Sequence, residues 1–214
     1  MIHESTRKAG GARKLLLIMG STRAGRVCPG IAAWVAGLCP AGTHFGCEVI
    51  DLAAWSLPMD DEPAIPALGP YAQSHTREWS ECVAAADAVM FVTPQFNWGY
   101  PAVLKNAIDH LHKEWRHKPV AIVTYGGHGG TRCARQLRRV ASCLRMRVAP
   151  TAPALLLPDA VIREGAALDI ERDFARHRGS VRAAFEQLAR IVDGRESLLA
   201  RFSRRSRALL AAAT

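Results

Sequence analysis

The stretch Thr93-Pro94-Gln95-Phe96-Asn97-Trp98-Gly99-Tyr100-Pro101 places three aromatic rings, two side-chain amides and a glycine among prolines. Such rings stack on a flat ligand, and primary amides bond its polar edge as donor or acceptor. A second stretch, Gly20-Ser21-Thr22-Arg23-Ala24-Gly25-Arg26, offers two hydroxyls, two guanidinium groups and two glycines just before a helical pattern. Backbone N–H groups at a helix start, hydroxyl donors and Arg forks together make a phosphate cradle. It is not a Walker loop, because no Lys-Ser or Lys-Thr closes a G-x-x-x-x-G spacing. The third stretch, Tyr125-Gly126-Gly127-His128-Gly129-Gly130, has four glycines in the five positions after Tyr125. Its backbone must approach something closely or take left-handed dihedrals. The chemistry these residue types suggest is the holding of a flat, anionic small molecule. His128 is a lone loop histidine and receives no catalytic role.

Each stretch follows an apolar run of strand length: Lys14–Met19, Asp87–Thr93 and Lys118–Tyr125. Each also precedes a helical pattern. Ile31, Trp34, Val35 and Leu38 mark one helix face, a second helix can start at Pro101, and a third runs from Thr131 with Leu137, Val140, Ala141 and Leu144 on one side. Phe45–Leu52 reads as a weaker strand, and Tyr71–Ala86 as a helix with Trp79, Cys82 and Val83 near one face. Arg147–Pro150 and Ala154–Leu157 are either one interrupted fifth strand or a short strand and a separate run. After a loop around Pro158 to Gly165, Ile170–Val192 reads as a terminal helix with Phe174, Val181, Phe185, Leu188 and Ile191 toward the core. This alternation implies an α/β protein, a doubly wound five-stranded parallel sheet in a three-layer α/β/α arrangement. Loops at the carboxyl ends of its strands are where such sheets bind ligands.

The segment Ala53–Pro70 carries Pro58, Pro63, Pro66 and Pro70 with Asp60, Asp61 and Glu62, so regular structure is not expected there. A loop this long is functional, shared with a partner subunit, or a solvated surface. Lys105 and Asp109 stand i, i+4 and read as a surface pair. Residues 1–13 read as a disordered leader, 14–194 as the folded domain, and 195–214 as a basic amphipathic helical extension, best used for packing or oligomer contact. Across 214 residues, hydrophobic content is 49% and charged content 22%, as in ordinary globular proteins. The longest apolar run, near Ala152 to Leu157, is too short to cross a bilayer, and no signal-peptide core follows Met1, so a cytoplasmic location without membrane attachment is expected. The six cysteines form no C-x-x-C pair and no zinc spacing, so no metal is expected. Cys28, near Arg23 and Arg26 at a helix start, would favour a thiolate if exposed, though an inert buried thiol is the preferred reading. The net charge of +9 comes without any nucleic-acid-binding signature, and an anionic small ligand explains it more simply than nucleic acid.

Pro94-Gln95-Phe96-Asn97-Trp98-Gly99-Tyr100-Pro101 with Leu104-Lys105-Asn106-Ala107-Ile108-Asp109 resembles the flavin-contacting motif of the NADPH-dependent FMN reductase family, whose relatives include flavodoxin-like quinone and azo-dye reductases. The likeness extends to Gly20–Arg26 and Tyr125–Gly130 in the family's order and covers roughly Lys14 to Pro150. It implies a flavodoxin-like strand order and an FMN cofactor with its phosphate at Ser21, Arg23 and Arg26, beside Val27. Pro94, Gln95, Phe96, Asn97, Trp98, Gly99, Tyr125, Gly126 and Gly127 would surround the flavin ring. Phe96 stands where the family usually has Tyr, so it is carried over only as a wall. The resemblance further implies hydride transfer from NADPH or NADH to flavin and on to a small-molecule electron acceptor, with no acid, base or nucleophile required of the protein. It also implies a homodimer, or a tetramer of paired dimers, with Ala53–Pro70 approaching the neighbour's aromatic loop. Two rivals remain at this point: a non-enzymatic electron carrier of the flavodoxin kind, and a nicotinamide-only Rossmann dehydrogenase. Against the latter, G-x-G-x-x-G is not completed at Arg132, and no Asp or Glu lies between Thr131 and Pro158.

Overall fold

The computed structural model describes residues 12–59 and 61–194. The first strand, β1 (Arg13–Met19), sends Leu15, Leu17 and Met19 into one core and Leu16 and Ile18 into another. That is the two-residue alternation of a strand covered on both faces. Strands β2 (Phe45–Asp51), β3 (Ala88–Pro94), β4 (Pro119–Gly126), β5 (Arg147–Val148) and β6 (Ala154–Leu156) complete the sheet. The order is β2-β1-β3-β4-β5, with β6 also on β4, and every pairing is parallel. This is the flavodoxin-like arrangement, and it puts the reversal of strand order between β1 and β3. Strand β3 is buried throughout and β4 nearly so, whereas β2 lies at an edge and exposes alternate residues, which is why its pattern reads more weakly.

Of the two readings for the fifth strand, the interrupted one is observed. Pro119 faces Arg147 and Thr124 faces Ala154, so five steps along β4 match seven on its partner. The surplus is taken up between Pro150 and Pro153, neither of which has an N–H for the ladder.

The helices are α1 (Cys28–Gly37), α2 (Ser74–Ala84), α3 (Ala102–Asp109), α4 (Thr131–Cys143), α5 (Asp159–Arg163), α6 (Ile170–Asp173) and α7 (Arg178–Val192). One core packs α1 and α7 against the sheet; the other packs α2, α3 and α4. Trp79 and Trp115 are fully buried, and their indole N–H groups bond the carbonyls of Ala107 (2.7 Å) and Ile108 (2.8 Å) at the carboxyl end of α3.

Four expectations are corrected. Helix α2 begins at Ser74 and not Tyr71, because the Tyr71 hydroxyl donates to buried Glu114 (2.6 Å) and holds Tyr71 outside the helix. The span Ile170–Val192 is not one helix: it breaks between α6 and α7, and Phe174 turns inward to pack on Trp34 at 5.7 Å between ring centres. The loop around Pro158 to Gly165 contains α5. Arg13, assigned to the leader, opens β1 and pairs with Asp193. The rest of the leader up to residue 11, and the extension 195–214, lie outside the described residues.

The segment Ala53–Pro70 holds no helix or strand among its described residues, as expected, but it is pinned. Asn106 Nδ2 donates to Leu57 O (2.8 Å), His110 Nε2 lies 2.9 Å from Pro58 O, and His75 Nε2 lies 2.9 Å from Asp61. Lys105 and Asp109 form the surface pair. Among the described residues, no helix is long and apolar enough to cross a membrane.

Candidate functional site

The carboxyl ends of β1, β3 and β4 open onto a cavity of about 310 Å³. From the first loop it is lined by Ser21, Arg23, Gly25, Arg26 and Val27; from the second by Pro94, Gln95 and Phe96; from the third by Tyr125, Gly126 and Gly127. Ten of the thirteen expected residues therefore meet at one place. A larger cavity of about 370 Å³ lies between the Asp61–Pro66 stretch and α3, and none of the expected residues lines it.

Arg26 does not reach the cavity as a free cation: its guanidinium is paired with Asp51 at the end of β2. Its Nε is buried and has no partner. Arg23 lies over the Phe96 ring, 4.1 Å from its centre. Ser21 is 1% exposed, under the cradle, and Tyr125 beside it is fully covered; burial holds the Tyr125 hydroxyl well above the usual phenol range, with further upward pressure from Cys28. Cys28 is itself buried, its Sγ 3.5 Å from Val92 O, and burial raises its pKa. The inert reading of that thiol holds.

Asn97, Trp98 and Gly99 do not line the cavity. Phe96 and Gly99 bond each other in both directions (2.9 and 2.8 Å), closing a two-residue turn whose central residues have φ of +46° (Asn97) and +70° (Trp98). Asn tolerates this conformation; Trp pays for it, and such strain collects at functional sites. The turn swings Trp98 outward to 59% exposure, with the Arg132 guanidinium 3.4 Å over its ring. Gln95 bonds structurally: its N–H donates to Tyr125 O (2.9 Å) and its side-chain oxygen accepts from Cys133 N (3.2 Å) in the first turn of α4.

The cavity has a wall that was not foreseen, made of Leu157, Val161 and Ile162. Pro158-Asp159 followed by Arg163 is a short-helix signal in hindsight, with a proline at the N-cap, acid in the first turn and base in the last. A Cβ on Gly127 would sit 3.1 Å from Ile162 Cδ1, so the glycine loop and α5 close on each other.

The donor set suits a phosphate monoester. A buried, unpartnered guanidinium N–H, a second Arg, a hydroxyl and the start of α1 converge, and the adjoining space is aromatic, aliphatic and glycine-lined. The sequence pattern of the NADPH-dependent FMN reductases matches residues 13–156. The chain belongs to that family. Membership makes it an NAD(P)H-dependent oxidoreductase that works with FMN, and it sets aside the nicotinamide-only alternative. An NAD(P)H-dependent FMN reductase of Schizosaccharomyces pombe is 50% identical over 182 residues, 84% of this chain and 90% of the relative. One of Saccharomyces cerevisiae is 49% identical over 146 residues, 63% and 76% of the two chains. Among solved structures, the NAD(P)H:(acceptor) oxidoreductase FerB of Paracoccus denitrificans superposes with a TM-score of 0.61 at 20% identity, covering 82% of this chain and 97% of FerB.

Proposed function

We propose that FMN occupies the 310 Å³ cavity, with its phosphate against Ser21, Arg23 and the unpartnered Nε of Arg26, and with Phe96, Tyr125 and Gly126-Gly127 around the ring. That orphaned N–H carries the reading, because a buried donor without a partner costs about 1–3 kcal/mol until an acceptor takes it. Held there, FMN would supply the hydride-accepting and electron-passing chemistry between NAD(P)H and a small-molecule acceptor. The protein's part is to bind, orient and exclude water. Asp51 holds Arg26 in place, Gln95 ties the aromatic loop to α4, and Leu157, Val161 and Ile162 dry the rim. Asn97, Trp98 and Gly99 serve from outside the cavity, where Trp98 and Arg132 form a stacked outer flank.

Exposed Met59, Ile65 and Leu68 (65%, 65% and 79%) with Trp98 support a homodimer, or a tetramer of paired dimers, in which these apolar groups are covered. Six free thiols suit the reducing cytoplasm. The test of the cofactor assignment is a comparison of two ligands on the Ser21→Ala/Arg23→Ala double variant. FMN affinity is expected to fall roughly 10- to 100-fold, as the loss of charge-assisted bonds predicts, while riboflavin affinity changes little. Equal losses for both ligands would show that the phosphate does not lie there.

A further inference from the structure

Two imidazoles and a carboxylate from separate elements converge at the 370 Å³ cavity that none of the flavin residues lines. Asp61 comes from the proline-rich segment, His75 from the first turn of α2 and His110 from the carboxyl end of α3. One ligand atom of each lies within 4.8 Å of the other two. His75 Nε2 is 2.9 Å from one Asp61 carboxylate oxygen and 3.2 Å from the other, and the His75 and His110 rings meet edge to face at 5.7 Å between centres. His110 is buried, and Asp61 and His75 are partly covered. An ion pair accounts for Asp61 and His75 alone. A second imidazole brought to the same point, at the wall of an open cavity, is the arrangement that a cation requires.

We propose that Asp61, His75 and His110 hold one divalent transition cation, best matched by Zn²⁺, which clips the proline-rich segment to α2 and α3. Zn²⁺ takes imidazole nitrogen and carboxylate oxygen at about 2.0–2.2 Å, which sets two ligands of one ion roughly 3 to 3.5 Å apart. The Asp61–His75 spacing meets that as it stands, and His110 joins by a shift of at most about 1.5 Å. Mg²⁺ and Ca²⁺ fit poorly, because they take oxygen ligands.

The ligands are also held from behind. A ligating histidine needs a partner for its other ring nitrogen. His110 has two in place, buried Thr76 Oγ1 at 3.0 Å from Nδ1 and Pro58 O at 2.9 Å from Nε2, so whichever nitrogen turns to the ion, the other stays oriented. Gln73 Nε2 donates to the Asp61 carbonyl (3.0 Å), which fixes the backbone of the carboxylate ligand. Three protein ligands leave a tetrahedral ion one position for water, and the cavity, lined also by Asn106 and Asp109, has room for it. Cysteine spacing pointed to no metal, and no cysteine belongs to this cluster. Its members are far apart in the chain, and only the packing of the segment on α2 and α3 unites them.

The experiment uses the full chain, stripped with EDTA and dialysed, without flavin or NADPH. Titration with zinc chloride in competition with a chromophoric chelator is expected to show one equivalent bound, undisturbed by magnesium chloride. His75→Ala and Asp61→Asn should each weaken zinc by at least roughly tenfold, while Cys143→Ser, which removes the exposed thiol, leaves it unchanged. Zinc should raise the urea midpoint of the wild type and not that of the two ligand variants, and a cooperative transition without zinc shows that those variants are folded. In the wild type, Co²⁺ in place of zinc should give visible d–d absorption without a thiolate charge-transfer band. Equal zinc affinity in the wild type and both ligand variants, loss of binding in Cys143→Ser, a thiolate band with Co²⁺, or a wild type that takes no zinc from the chelator would each overturn the proposal. Because flavin is absent, none of these outcomes bears on the cofactor site.

Discussion

Replacing Gly130 with Ala is expected to destabilise the protein through two effects that can be separated. Gly130 precedes α4 with φ of +82°, and an added Cβ would lie 2.7 Å from Thr124 Cβ, 2.9 Å from Thr124 Oγ1 and 3.2 Å from Tyr125 N. The left-handed dihedral costs about 1–2 kcal/mol for any residue with a Cβ. The contacts cannot be relieved by a flexible tip, because Thr124 is fully buried between Thr93 and Ala154 and its hydroxyl donates to Gly129 O at 2.9 Å. Overpacking of that kind adds about 1–3 kcal/mol, for a total of about 2–5 kcal/mol. Gly25→Ala is the control, with φ of +66° and nothing within 4 Å of the new Cβ, so it carries the dihedral cost alone. Urea unfolding of both variants and the wild type, without FMN so that ligand binding does not contribute, reads the difference directly. Equal losses in the two variants would refute the close approach of the glycine loop to β4.

The remaining expectations concern turnover, assembly and acid stability. If, with FMN in the proposed site, donor and acceptor use one flavin face in turn, steady-state NAD(P)H oxidation with FMN kept bound gives parallel double-reciprocal lines; intersecting lines would mean that FMN leaves as a product. Trp98→Arg places a second cation beside Arg132, so light scattering across a dilution series should show a smaller assembly than the wild type, and an unchanged mass would remove Trp98 from the interface. For Glu62, partial burial pushes the carboxyl up, but the N–H groups of Ala72 (2.9 Å) and Gln73 (3.1 Å) outweigh it and leave its pKa below the usual value. A depressed folded pKa means stability that is present above the unfolded value of 4.5 and lost as pH falls through the folded one. Glu62→Gln keeps the acceptor and removes the charge, so its stability should fall less than the wild type's on acidification, and parallel pH profiles would contradict the assignment.

Three local patterns were enough to bring Ser21, Arg23, Pro94, Phe96 and Gly126 to one cavity, because each loop follows a strand in a parallel sheet and the carboxyl ends of such strands share a side. What escaped depends on neighbours distant in sequence. The Asp51 partner of Arg26 arrives from β2 only because β2 lies beside β1. The break before α7 is set by Phe174 docking on Trp34, which a periodicity spanning Ile170 to Val192 cannot show. The outward turn at Trp98 was hidden for a different reason: nothing about a tryptophan announces positive φ, and only the two bonds between Phe96 and Gly99 impose it. The wall at Val161 and Ile162 was missed because a five-residue helix is too short to display a period.

The interrupted outer strand has a consequence for strand pairing at this edge of the sheet. A continuous β5–β6 would present an open row of N–H and C=O groups on which a strand from another molecule could nucleate and polymerise. Here Pro150 and Pro153 have no N–H to offer, and three of the groups between and beside them are taken by side chains. Gln187 Oε1 accepts from Thr151 N (2.7 Å), and Arg138 donates to the carbonyls of Ala149 (2.9 Å) and Pro150 (2.6 Å). The residues that deprive the strand of its continuity therefore leave this edge few open groups on which another strand could pair, while the opposite edge is formed by the continuous seven-residue β2.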